Sequence, residues 1–313
     1  MTVFFQRLRT IFVVFISLFF GLVVSQQTWA FSKVTHELVC EMAYQQLTAE
    51  ARQRLDALFE KSELQQTFPQ ACAWADDIRR QDEFKHTSAW HYINVPRSAK
   101  EVLPKHCASR GCVTESILTM RVRLQNQPEQ DWQALLFLSH LLVDLHQPLH
   151  VSYADDRGGN KTKVTANKQS TNLHRLWDGM FNVKTLSEQD RQQFKMDSVS
   201  VYHNEYSQPV LLFEQDVFIW GTESLQKTRS IYQQLQHSHS YSKQALAMQS
   251  DWMRARLLVA AARLTHELET VFSSSSMQLT NRSKVNIDDK NTITSATESP
   301  SMWSTFKQWL SEF

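Results

Sequence analysis

An apolar helix that carries metal-binding side chains is the feature that most constrains this chain. The stretch from His140 to His150 reads H-L-L-V-D-L-H-Q-P-L-H and lies inside a longer apolar run. On a helix, His140 and Asp144 are one turn apart and can converge on one ion, whereas the leucines around them face the core. Pro148 lacks an N–H and ends the helix, so His150 can turn back towards the same point. We therefore predict a buried His/Asp site on a helix over 132–147.

A second pair of the same kind lies downstream, in the motif N-L-H-R-L-W-D. His174 and Asp178 are again four residues apart, and the polar segment 155–171 connects the two pairs. Imidazole plus carboxylate is the ligand set that zinc takes in catalytic sites. A lone histidine on an apolar face is more often a hydrogen-bonded core residue. We interpret His146 in that way, because it projects from a different face of the helix. Two pairs with matched spacing favour a site with more than one metal ion.

Length and composition favour one mainly helical domain. The chain has 313 residues, 42% of them hydrophobic, which is enough for a large core. It has only 6 glycines, few alternating strand-like runs and many stretches rich in Leu, Ala, Gln, Glu and Arg. We expect an all-α fold with helices near 36–47, 48–61, 68–80, 114–126, 132–147, 173–181, 213–235 and 242–272.

The two ends of the chain differ in character from its middle. Two arginines precede an apolar run over 11–24, and a short polar stretch then leads to Ala30. This layout is typical of a secretory signal peptide over 1–30, cleaved after Ala30. An uncleaved membrane anchor is the alternative, although the run is shorter than the roughly 18 residues that a spanning helix needs. Residues 273–313 are rich in small polar residues until a final amphipathic segment, which predicts a flexible tail. The catalytic domain is therefore expected at 31–272.

The four cysteines all follow the expected cleavage point. An exported chain meets oxidising conditions, so disulfides are expected, and three pairings of Cys40, Cys72, Cys107 and Cys112 are possible. A thiolate metal site is the weaker interpretation, because the chain has no C-x-x-C spacing.

Taken in order, the motifs resemble those of the zinc-dependent, single-strand-specific nucleases of the S1/P1 type, which share their helical fold with bacterial phospholipase C. The resemblance spans about residues 31–272. The motifs that carry it are V-T-H at His36, A-W-A-D at Asp76, W-H-Y-I-N at His91, H-x-x-x-D-x-x-x-x-x-H over 140–150, D-R-G-G-N over 156–160 and N-L-H-x-x-W-D over 172–178.

The resemblance implies one helical domain with three Zn²⁺ ions in a single cleft. The implied ligands are Asp76, His91, His140 and Asp144 for one ion, His150, His174 and Asp178 for a second, and Phe31, His36 and Asp144 for a third. Asp144 would bridge two ions. Phe31 stands where the family usually begins its mature chain with Trp, although the nearby Trp29 leaves the cleavage position open. A free α-amine titrates near neutral pH and can serve as a metal ligand. The resemblance also implies a Cys107–Cys112 disulfide, which leaves Cys40 with Cys72.

The implied reaction is hydrolysis of single-stranded DNA and RNA to 5′-phosphorylated products, together with loss of phosphate from 3′-mononucleotides. Arg79, Asp76 and Asp144 are the expected catalytic residues, with Arg79 holding a nonbridging phosphate oxygen. Tyr92 would stack on a base, the alternative being a buried helix aromatic. Asn94 stands where the family often has aspartate, and it predicts broad base tolerance because its amide both donates and accepts.

The net charge of only +1 would be unusual for a nucleic-acid binder that relies on a basic surface. Bound zinc ions would supply much of the attraction for phosphate. Two alternatives stay open at this point: a phospholipase C on the same scaffold, and a noncatalytic zinc-binding exported protein. The N-L-H-x-x-W-D form and Arg79 favour the nuclease. We expect an exported, periplasmic or secreted monomer without a stable protein partner.

Overall fold

The computed structural model describes residues 33–206 and 212–273. The expected signal peptide, Phe31 and the expected tail beyond residue 273 lie outside these residues. The described part of the chain is mainly helical, which confirms the predicted fold class. Its ten α-helices are α1 (Lys33–Gln46), α2 (Ala49–Glu60), α3 (Phe68–Ala71), α4 (Trp74–Ile78), α5 (Val113–Asn126), α6 (Trp132–Leu145), α7 (Leu173–Asp178), α8 (Glu188–Glu205), α9 (Glu214–Leu235) and α10 (Lys243–Phe272).

Short strands and 3-10 helices connect these elements. The 3-10 helices are Asp82–His91, Pro104–His106, Pro148–His150 and Val183–Thr185, and the strands are β1 (Ile93–Val95), β2 (Val151–Tyr153), β3 (Lys163–Ala166), β4 (Gln169–Asn172) and β5 (Ser240–Tyr241). β1 and β2 pair in parallel, whereas β3 pairs antiparallel with β4 and in parallel with β5. Their brevity explains why no alternating pattern predicted them.

Helix α6 lies at the centre of the fold. The Asp131 side chain caps it by accepting a hydrogen bond from the backbone N–H of Ala134 at 3.0 Å. Every residue from 134 to 145 is buried, and α6 packs against α1, α4, α5 and α10. Because all faces of the helix are covered, the polar His140 and Asp144 are buried as well. Polar groups in such a position require partners.

Two helical elements differ from the prediction. The expected helix over 68–80 is divided into α3 and α4. The break leaves the Cys72 carbonyl outside any helical bond and available to His140, whose Nδ1 donates to it at 2.8 Å. Helix α8 was not predicted, because only Phe194 and Ser198 along it are buried. It lacks the apolar stripe by which the other helices were found.

The two disulfides pair as the resemblance implied. Cys40 on α1 is bonded to Cys72 at the end of α3, and Cys107 is bonded to Cys112 in the loop before α5. The first bond ties the helix that carries His36 to the segment that leads to Asp76. Within residues 33–206 and 212–273, no helix combines the length and the apolar character needed to cross a membrane.

A buried ion cluster lies between α9 and α10. The Glu223 carboxylate accepts hydrogen bonds from Arg256 Nη1 at 2.7 Å and from Arg263 Nη1 and Nη2 at 2.8 and 2.9 Å. Arg263 Nη1 also donates to His146 Nε2 at 2.9 Å, while His146 Nδ1 donates to the Leu142 carbonyl. Burial, reinforced by the two arginines, holds the pKa of His146 well below its usual value. His146 is therefore a hydrogen-bonded core histidine, as its helix face predicted.

Candidate metal centre

The Asp144 carboxylate lies at the meeting point of four imidazoles. Its Oδ1 atom is 3.3 Å from His36 Nε2 and 3.1 Å from His150 Nδ1. Its Oδ2 atom is 2.9 Å from His91 Nδ1 and 3.2 Å from His140 Nε2. Each carboxylate oxygen thus lies close to a different pair of imidazole rings. This is the geometry that a carboxylate needs if it is to bridge two cations.

Separate elements of the fold bring these side chains together. His36 is on the first turn of α1, His91 ends the 3-10 helix before β1, and His140 and Asp144 are one turn apart on α6. His150 ends the 3-10 turn that Pro148 begins. The rings of His36 and His140 stack with centroids 3.9 Å apart. The predicted turn-back after α6 therefore occurs and returns an imidazole to Asp144.

The ligand candidates form three groups in which one donor atom from each residue lies within 4.8 Å of the others. The groups are Asp76 with His91 and His140, His150 with His174 and Asp178, and His36 with His140 and Asp144. The first group contains three of the four residues expected at one ion. The second group contains all three residues expected at another. Phe31, expected beside His36, lies outside the described residues.

Hydrogen bonds from outside each group fix the orientation of its ligands. His140 Nδ1 donates to the Cys72 carbonyl at 2.8 Å, and His174 Nδ1 donates to the Gly158 carbonyl at 2.7 Å. Both rings thereby turn Nε2 towards the carboxylates, with the other ring nitrogen held by a carbonyl as in metal-binding histidines. The buried Gln147 amide donates to Asp178 Oδ1 at 2.7 Å. These contacts were not predicted, although Gln147 stands between two histidines in the H-Q-P-L-H motif.

The D-R-G-G-N loop supports the second group through its backbone. Gly158 has a φ of +63°, and a Cβ atom there would lie 2.6 Å from the carbonyl oxygen of Leu149. Only glycine accepts both the left-handed conformation and this close approach. Asp156 anchors the loop by accepting hydrogen bonds from Thr162 Oγ1 and from the hydroxyl of Tyr232. The loop thereby presents the Gly158 carbonyl to His174.

The pKa shifts of the centre favour an ionised carboxylate and divide the imidazoles into two kinds. Burial opposes the ionisation of Asp144, yet the neighbouring His150 and His140 hold its pKa well below the usual value. Burial is also the largest influence on His36 and His91, and it lowers the pKa of both. Burial opposes protonation of His150 too, but the carboxylates of Asp144 and Asp178 raise its pKa to about 10. Burial likewise opposes protonation of His140, but Asp144 and Asp76 outweigh it and raise its pKa. Asp144 is therefore ionised and His36 and His91 favour the neutral form that binds metal, whereas His150 has to release a proton when a cation binds.

The other predicted site residues reach the protein surface. Arg79 Nη1 is 3.2 Å from Asp76 Oδ1, and the two side chains are 29% and 17% exposed. Tyr92 follows His91 directly and is exposed rather than buried in a helix. Asn94 is partly exposed, two residues along from Tyr92. Tyr92 is extended and directly precedes β1, so the alternation of side chains places it on the same face as Asn94.

Comparison with known proteins places the chain among nucleases. A family model described as S1/P1 Nuclease matches residues 31–273. The chain belongs to the S1/P1 nuclease family. This match includes every residue of the three groups, and S1/P1 nucleases are in general zinc-dependent. The His/Asp groups are thus candidate sites for the metal on which this family depends.

Named relatives in the S1/P1 nuclease family match shorter stretches of the chain. Endonuclease 3 of Arabidopsis thaliana is 37% identical over 118 residues, which are 35% of this chain and 40% of the relative. Endonuclease 1 of the same plant is 32% identical over 182 residues, or 53% and 58% of the two chains. Nuclease S1 of Aspergillus oryzae is 28% identical over 163 residues, or 50% and 56%. The chain thus spans about half the length of the curated relatives it matches.

Proposed function

We propose that this protein is an exported zinc-dependent endonuclease that cleaves single-stranded DNA and RNA to 5′-phosphorylated products and removes phosphate from 3′-mononucleotides. The convergence of imidazoles and carboxylates around Asp144, in a chain of the S1/P1 nuclease family, is the observation that carries the proposal. The relatives that match the chain are named as nucleases and endonucleases, which supports hydrolysis of phosphodiesters.

The residues fit zinc in both chemistry and spacing. Nitrogen and oxygen donors without thiolate are typical of catalytic zinc, and the three groups each place their donors within 4.8 Å of one another. Three ions would be held by the residues named for them above, the α-amine and carbonyl of Phe31 completing the third site. When bound, zinc supplies the positive charge that attracts a phosphodiester and makes water available as a nucleophile near neutral pH.

The substrate would be held by Arg79, Tyr92 and Asn94, which reach the protein surface. Arg79 can offer its planar fork to a nonbridging phosphate oxygen while Asp76 restrains it from the other side. Tyr92 would stack on an unpaired base, which a duplex hides behind its partner strand. Asn94 both donates and accepts, so we expect cleavage of all four homopolymers at comparable rates. A strong preference for one base would contradict this role.

Export would complete the centre. Cleavage after Ala30 would remove the signal peptide 1–30 and create the α-amine of Phe31 at the start of a domain over 31–272. The two disulfides support an oxidising destination, either the periplasm or the medium. We further propose that the mature protein is a monomer with a flexible tail from residue 273.

Metal analysis and N-terminal sequencing of the mature protein test this proposal together with the variant His140→Ala. We expect about three zinc ions, a chain starting at Phe31, and loss of DNA cleavage in His140→Ala. The matched control is His203→Ala, on the exposed side of α8, which should cleave like the parent. A single ion per molecule, or full activity in His140→Ala, would contradict the proposal. Cleavage of phosphatidylcholine without cleavage of single-stranded DNA would favour the phospholipase instead.

A further inference from the structure

An exposed arginine near the centre is held in place by two aromatic rings. The guanidinium carbon of Arg97 lies 4.6 Å from the centroid of the Tyr153 ring and 4.9 Å from that of Tyr232. These two rings contact each other edge-on, with centroids 4.8 Å apart. The Arg97 side chain is still 51% exposed. We call Arg97, Tyr153 and Tyr232 the Arg97 platform.

The platform is fixed from several sides. Arg97 Nε donates to Asp155 Oδ2 at 2.8 Å, and the Asp155 carbonyl accepts a hydrogen bond from Lys161 Nζ at 2.7 Å. The Tyr232 hydroxyl donates to Asp156 in the same loop. A surface arginine normally loses about 2 kcal/mol of rotamer entropy when it is ordered by a ligand. Here the fold has already ordered the guanidinium, although about half of the side chain is exposed to solvent.

The β1–β2 pair leads from the metal centre to the platform. Its first register pair is Ile93 with Val151, each within two residues of a ligand candidate, and its last pair is Val95 with Tyr153. At about 3.3 Å per residue, the three residues from His150 to Tyr153 span roughly 10 Å. That distance corresponds to about three base steps of a stacked strand, at roughly 3.4 Å each. Asn94 of β1 and the preceding Tyr92 lie on the same face of this extended segment.

We propose that Arg97 stacks on a nucleobase two or three nucleotides from the scissile phosphodiester, so that oligonucleotides are better substrates than dinucleotides. This inference rests on the proposed nuclease function. A guanidinium is planar and weakly hydrated and can stack on a base, whereas a lysine ammonium cannot. The stacking is independent of base identity, because every base offers a π-face.

The test compares two substrate lengths in each of several variants. The parent, Arg97→Ala and Arg97→Lys are assayed on a single-stranded hexanucleotide and on a dinucleotide, and the ratio of kcat/KM for the two substrates is taken within one preparation. Stacking on one base predicts a fall of about tenfold in this ratio for both variants. The control is Arg52→Ala on α2. Arg52 also lies over a tyrosine ring, 5.1 Å from the Tyr44 centroid, but no ligand candidate is on its helix, so its ratio should equal that of the parent.

The outcomes separate this inference from the function on which it rests. An unchanged ratio in Arg97→Ala, or a parental ratio in Arg97→Lys, would overturn the stacking role. A parent enzyme that cleaves neither substrate would contradict the nuclease itself. Because each ratio comes from a single preparation, any misfolded fraction cancels, and loss of folding cannot imitate the expected result.

Discussion

Replacement of Glu223 by glutamine should reduce the free energy of unfolding by about 3–5 kcal/mol. The Glu223 carboxylate accepts three hydrogen bonds from Arg256 and Arg263, and all three side chains are at least 91% buried. Glutamine keeps the size but removes the anion, so two buried guanidinium groups lose the carboxylate that binds them, although Glu205 still attracts both. Three charge-assisted bonds at about 1.5–3 kcal/mol each would suggest a larger loss. We take the lower figure because the glutamine oxygen can still accept from one arginine.

Urea unfolding followed by circular dichroism measures this loss, at pH 7 with intact disulfides and the same zinc concentration throughout. Glu41→Gln is the matched control. Glu41 pairs with Lys195 at 2.6 Å, but the two side chains are 38% and 17% exposed. A pair whose carboxylate reaches solvent in this way contributes about 0–1 kcal/mol. A loss below about 1 kcal/mol in Glu223→Gln, or one equal to that of Glu41→Gln, would refute the reasoning.

Three further predictions concern Glu223 and two residues that support the metal centre. Burial raises the pKa of Glu223, but the two arginines outweigh burial and hold the pKa below the usual 4.5. The contribution of Glu223 to the free energy of unfolding is therefore present above about pH 4.5 and is lost on acidification. Unfolding free energies of the parent and Glu223→Gln should therefore converge when measured at falling pH. Gln147→Leu removes the donor to Asp178 and should weaken one zinc about 10- to 100-fold in chelator competition; unchanged affinity would contradict this. Gly158→Ala places Cβ 2.6 Å from the Leu149 carbonyl oxygen and should lower both the zinc content and Tm. In Gly179→Ala the nearest atom would lie 3.7 Å from Cβ, an ordinary contact distance, so neither quantity should change.

Two pairs of ligand candidates were predictable from the residues alone, because metal chemistry restricts residue type and helix geometry restricts spacing. His36, Asp76 and His91 were expected only from the family resemblance. His140 with Asp144 and His174 with Asp178 satisfy both conditions, and the structure places each pair in one of the groups. The carbonyls that orient these rings were not predictable, since any residue supplies a carbonyl and the sequence does not show where a helix will break. Arg97 was missed for a related reason. Its partner rings come from β2 and α9, which are far apart in the sequence.

The centre gains its rigidity from the same core that buries it. Cys40 is one helical turn after His36, and its disulfide partner Cys72 supplies the carbonyl that orients His140. A single covalent bond therefore couples two ligand candidates from different helices. The Glu223 cluster contacts the C-terminal end of α6, where Arg263 donates to His146. The 3-10 turn that brings His150 to Asp144 follows two residues later. Sites built on helices are held more precisely than sites on loops, so much of the cost of ordering these ligand candidates is met when the helices pack during folding.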